Sequence, residues 1–252
     1  MDARLPVFPL GTVLFPGLVL PLHIFEARYL DLMQHLRGLP EGTPREFGVV
    51  AIRSGGPASV SAGPEPESRS TEAEPRSGQP ELTDRRPDGP PVTLHEVGCT
   101  AELRQVTELP DGRLDVVTVG RRRFRIARVE EGSAPYLTAE VEWLPEPAGQ
   151  EQLADLLAPR VLAVFRRYLT LVRDDPEEIS EQLPDDPTVL SHLVAATAAL
   201  TLTDRQRLLA MPDTAGRLSA ELRLLNREAA LLRQVRAVPV PLTELAVPAS
   251  PN

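Results

Sequence analysis

Apolar and polar residues follow two different periods along this chain. Up to about residue 145 the period is mostly two, which predicts strands; beyond it apolar residues recur every three or four positions, which predicts helices. The N-terminal run at 5–25, LPVFPLGTVLFPGLVLPLHIF, carries no Asp, Glu or Arg. Its prolines (Pro6, Pro9, Pro16, Pro21) break a continuous helix. The run is expected to form two short strands with a turn at Pro16-Gly17. Pro21 is expected to open a helix carrying Leu22, Phe25, Tyr29, Leu32, Met33 and Leu36, closed by Gly38. A buried strand follows at 47–53. In the strand from Val97, the residues Val97, Cys99, Ala101 and Leu103 share one face. The LPDG turn at 109–112 leads to LDVVTVG, a further strand RRFRIARV places Phe124 and Ile126 inward, and Leu137, Ala139, Val141 and Trp143 alternate in the last one. Six or seven strands and one helix make an antiparallel barrel or a pair of sheets the simplest architecture for 1–145.

From Leu153 to Val172 a broad apolar stripe predicts a helix that Pro159 should kink or begin. Asp186-Pro187 is an N-cap followed by proline at the first helical position. Thr203 and Gln206 have capping-box spacing, and Asp213 or Thr214 should cap a last long helix. Residues 148–237 therefore read as a helical bundle, and 238–252 as a flexible tail.

Within the strand-rich part lies 54–91, with eight prolines and no aromatic residue, and strand patterns resume beyond it. Its apolar content does not offset the ordering entropy, so it is expected to be a disordered insertion. A long surface insertion costs little, because closure entropy grows only logarithmically with length.

Composition removes several classes of chemistry. All 27 basic residues are arginine. A P-loop, a Schiff-base site and a Ser–Lys dyad each need a lysine. A net charge of −9 disfavours nucleic acid and anionic membranes as general partners. The N-terminal run has neither a cleavage pattern nor a charged leader and is not a membrane segment. The lone Cys99 precludes an internal disulfide, and a cytoplasmic location is expected. His23, His35, His95 and His192 lack metal-ligand spacing, and no metal or cofactor is expected. The acidic runs at 174–178 and 185–186 read as helix caps. The one basic cluster is Arg121, Arg122, Arg123, Arg125 and Arg128; on a strand Arg121, Arg123 and Arg125 share a face, an alternative anion or RNA patch.

The segments LPVFPLGTVLFPGLVLPLHIFEARYLDLM, FGVVAI, VGCTAELRQVTELPDGRLDVVTVGRRRFRI and YLTAEVEW resemble the N-terminal substrate-binding domain of Lon proteases. The likeness continues through DPTVLSHLVAATAALTLTDRQRLLAMPDTAGRLSAELRLLNREAALL, where Ala210 stands at a position that is usually acidic in Lon. The resemblance implies an α+β protein: a small, mostly antiparallel β-barrel of the pseudouridine-synthase-associated (PUA) type, then a helical bundle. It implies a non-enzymatic module that captures unfolded or tagged polypeptides or acts as an adaptor, with a protease as an open further partner. The ATPase and protease of Lon are not expected in this chain. Phe15, Pro16, Leu18 and Leu20 are the candidate peptide-binding ridge, and Glu26 and Arg28 a structural pair.

Overall fold

The computed structural model describes residues 2–53, 82–84, 92–130, 132, 134–172 and 183–237. The acidic run at 174–178, the tail 238–252 and most of the insertion lie outside the described residues. The fold is α+β and divides into two compact units, Met1–Pro145 with Leu202–Ala210, and Glu146–Thr201 with Met211–Asn252.

In the first unit, β1 (Asp2–Leu10) lies between β3 (Glu46–Ala51), to which it is parallel, and β8 (Thr138–Trp143), to which it is antiparallel. β6 (Val97–Glu108) pairs with β3 and with β7 (Leu114–Glu130), and β7 pairs in turn with β8. The ladder β7–β6–β3–β1–β8 thus returns to β7. β2 (Val19–Ile24) adds to β7 outside this ring. Inside it pack Leu5, Val7, Val50, Leu94, Phe124, Ile126, Ala139 and Val141. β7 is one continuous 17-residue strand where the sequence suggested two. Its length lets the first half carry β2 while the second half carries β8.

Pro21 does not open a helix. It sits within β2, and helix α1 (Ala27–Arg37) starts after Glu26 and ends at Gly38. A proline is tolerated in an edge strand where its missing N–H faces away from the ladder. α1 is fixed to the sheet by buried Tyr29, Leu32, Met33 and Leu36, with Tyr29 stacked on Phe8 at 3.7 Å between ring centroids. The Arg28 guanidinium donates to Glu26 at 3.1 Å and to Asp84 at 3.5 Å. Asp84 belongs to β4 (Thr83–Asp84), which pairs with β5 (Val92–Thr93). Residues 82–84 are therefore ordered, although they fall within the expected disordered insertion. Leu82 packs on the core and its carbonyl accepts from the Leu94 amide at 2.8 Å.

The second unit holds α2 (Glu151–Val172), α3 (Pro187–Thr197) and α5 (Thr214–Ala237). α2 continues through Pro159. Asp186 caps α3 by accepting from the Thr188 and Val189 amides, and Asp213 accepts from Gly216 N–H at the start of α5. Helix α4 (Leu202–Leu209) groups with the sheet and not with these helices, a departure from the contiguous bundle read from the sequence. The reason is polar. Gln206 does not complete a capping box; its buried amide donates to the Val97 carbonyl at 2.8 Å. Arg123 donates to the Leu209 and Pro145 carbonyls at 2.7 and 2.8 Å. Replacing Arg123 by Met strands those carbonyls and is expected to cost about 3 kcal/mol, measurable by denaturant unfolding against Arg125→Met, which should be near neutral.

Candidate functional site

The outer face of the β2–β7–β6 sheet presents an apolar patch inside a polar frame. Directly opposed residues of an antiparallel pair point to the same face. Val19 lies opposite Val119, Pro21 opposite Val117, and His23 opposite Asp115. On the far side of β7, Val119 faces Glu102, Val117 faces Gln105 and Asp115 faces Thr107. The alternate residues Leu20, Leu22 and Ile24 point the other way, toward buried Val116 and Thr118. Val19, Pro21, Val117 and Val119 thus form an apolar quartet, with Val19 62% exposed. Phe25, also 62% exposed, continues it at the end of β2 and lies beside the His23 ring.

Charges frame the quartet and neutralise each other. His23 Nδ1 lies 2.7 Å from the Asp115 carboxylate, and Arg113 pairs with Asp111. The Glu102 carboxylate forms ion pairs with Arg104 at 3.0 Å and with Arg121 at 2.9 Å. An exposed apolar centre with a paired polar rim is the anatomy of a protein contact surface.

The residues expected to form the ridge do not share this outward face. Phe15 is fully buried and is not a contact residue, while Pro16, Leu18 and Leu20 are only partly exposed. The segment around Phe15 lies against β7 at Gly120, where an added Cβ would come 2.1 Å from the Phe15 carbonyl oxygen. The turn at Gly17, with φ +79°, then re-enters the sheet so that the odd-numbered residues of β2 face out. The signal that was available is parity: Val19, Pro21 and His23 alternate with three aliphatic residues.

The arginine patch does not form. Arg123 is 1% exposed, so Arg121, Arg123 and Arg125 do not make one accessible face. Between Gly120 and Arg123 the β6 register shifts, which breaks the simple alternation. Arg121 is committed to Glu102, and Arg122 pairs with Glu46 and stacks on Trp143 at 3.9 Å. A cleft of about 880 Å³ beside them is lined by Glu41, Arg45, Glu46, Glu102, Arg121 and Arg122, with equal numbers of each charge. Cys99 is buried on β6. Among the described residues no cluster of three or more His, Cys, Asp or Glu side chains is placed to hold a metal, and no helix is long and apolar enough to cross a membrane.

A sheet that closes through one long strand, joined in sequence to a set of helices, is an architecture with solved counterparts. The N-terminal domain of the Lon protease from the Mycobacterium avium complex superposes with a TM-score of 0.60 at 18% identity, over 90% of this chain and 98% of that one. The Lon N-terminal domain protein of Xanthomonas campestris gives 0.53 at 22% identity, over 88% and 98%. These likenesses show the fold. In sequence, Lon protease 1 of Thermus thermophilus is 36% identical over 154 residues, 59% of this chain and 19% of that protein. The Lon protease of Escherichia coli K12 is 31% identical over 142 residues, 56% and 18%. The chain spans less than a fifth of the length of these curated relatives. The substrate-binding domain of the ATP-dependent protease La (Lon) matches residues 4–227. The chain belongs to that substrate-binding domain family.

Proposed function

We propose that this protein is a non-enzymatic polypeptide-binding module that captures unfolded or tagged segments, or presents them as an adaptor, through the outer face of β2 and β7. The outward quartet, with Val19 and Pro21 exposed and Val117 and Val119 half-buried between the neighbouring strands, carries the reading together with exposed Phe25. Membership of a substrate-binding domain family supports it. Fully burying an exposed valine in a contact contributes about 1.5–3 kcal/mol, against which the cost of association and of ordering a disordered chain is set, so several anchors must act together. Uncharged anchors within a neutralised rim suit apolar segments of varied sequence, which is what unfolded proteins offer. A protease as the next partner, and the cytoplasm as the compartment, belong to the same proposal.

Replacing Val19 and Val117 together by Asp tests it. Binding of a fluorescently labelled, reduced and alkylated model protein, followed by anisotropy, is expected to weaken at least about tenfold, equivalent to roughly 1.4 kcal/mol. Val19 is exposed and Val117 is half-buried on the same outward face, so circular dichroism confirms that the variant is folded before binding is read. An unchanged affinity in a folded variant would show that this face does not capture polypeptide.

A further inference from the structure

We infer that Pro21 is a specificity-determining residue of this face: it closes the open edge of β2 to strand addition, so that polypeptides are taken by their side chains and a second copy is refused. β2 ends the sheet order, with β7 on one side and no strand on the other among the described residues. An uncovered edge is a template for pairing with any extended chain.

Which backbone groups face that edge follows from the hydrogen bonds. The Leu18 carbonyl accepts from the Gly120 amide at 2.8 Å, and the Leu20 carbonyl accepts from the Thr118 hydroxyl at 2.9 Å. The Leu18 carbonyl and, within β2, residues 20, 22 and 24 therefore face β7, and in an antiparallel ladder the alternate residues direct their backbone groups outward. The outward set is Val19, Pro21 and His23. The middle one has a carbonyl and no N–H. An incoming strand would meet a donor at Val19, a gap at Pro21 and a donor at His23. In the two-fold antiparallel pairing of two copies centred on this strand, Pro21 meets Pro21 and both central N–H···O bonds are missing. The exposed Val19 and Phe25 make the edge attractive to apolar chains, so it is here that a block has an effect. The statement about capture rests on the polypeptide-binding reading above; the statement about self-pairing does not.

Pro21→Val restores the outward N–H in a residue that favours strands. Two regained bonds in the symmetric pair correspond to roughly 30-fold tighter self-association, read by sedimentation equilibrium across a concentration series, with amide exchange at Val19 and His23 slowing as the dimer forms. Moving the block, in Pro21→Val with His23→Pro, is expected to return association to that of the unaltered chain. If Pro21→Val proves misfolded by circular dichroism, Pro21→Ala supplies the same N–H and decides the matter. Self-association no stronger than in the unaltered chain would overturn the inference. So would association that persists in the double variant, since it would then come from side chains. These arms contain no polypeptide, so their failure is separate from failure of the capture reading. In a further arm with the labelled unfolded protein, Pro21→Val is expected to bind it more tightly; equal affinity would overturn the claim that the edge is closed to clients.

Discussion

Gly120→Ala is expected to destabilise the first unit by about 3 kcal/mol or more, at the upper end of what overpacking costs. The added Cβ would stand 2.1 Å from the Phe15 carbonyl oxygen and 2.9 Å from its carbon. Both are backbone atoms and cannot rotate away as a side-chain tip would. Relief requires the segment holding buried Val13, Leu14 and Phe15 to lift from β7. The same movement would break the bonds that Gly17 N–H and Leu18 C=O make with Gly120, at 2.8 Å each. Those bonds set the parity of β2, so capture of polypeptide should be lost along with stability. Gly11→Ala is the control, because nothing lies within 4 Å of its added Cβ. Urea unfolding followed by the fluorescence of Trp143, which lies in this unit, measures both.

The second unit is expected to lose stability as pH rises, through one carboxyl group. Glu221 is fully buried on α5, and burial pushes its pKa up to about 8, against the opposing pull of the Ser191 hydroxyl and the Arg217 cation. The Ser191 hydroxyl donates to Glu221 at 3.0 Å and accepts from Arg217 Nε at 2.6 Å. Arg217, equally buried, takes Glu146 as its counter-ion at 3.2 Å, beside His192. Glu221 thus sits neutral in the fold at pH 7, whereas in the unfolded chain it ionises near the ordinary value of 4.5. Below that value both states hold the proton and its stabilising contribution is fully present. Above it only the unfolded state releases the proton, and stability falls by up to about 1.4 kcal/mol per pH unit until the folded group ionises as well. Glu221→Gln keeps the neutral shape and should flatten the profile between pH 5 and 8. Hydrogen exchange of α3 and α5 amides across that range is the measurement, since it resolves this unit from the other.

Much of the architecture was legible from local pattern. Asp186-Pro187 caps and starts α3 as its chemistry dictates, and the LPDG turn closes on Gly112, with φ +82°. What escaped was decided at long range. Pro21 looks like a helix start because proline suits a first turn, but pairing with β7 makes it an edge residue. Arg123 looks exposed among other arginines, but two carbonyls presented at Leu209 and Pro145 bury it. Gln206 looks like a cap, but Val97 claims its amide. In the N-terminal apolar run the expected ridge fell on Phe15, Pro16, Leu18 and Leu20, whereas pairing with β7 turns Val19, Pro21 and His23 outward. Phe15 is the most conspicuous anchor by composition, but the folded chain buries it completely.

Where an unfolded chain touches this protein is the most direct test of capture at the outer face of β2 and β7. With the methyl groups of valine, leucine and isoleucine isotopically labelled, titration with a reduced and alkylated model protein should shift the signals of Val19, Val117 and Val119 and leave Leu156 and Val189, exposed in the helical unit, in place. Shifts at Leu156 and Val189 with the three valines unmoved would contradict it.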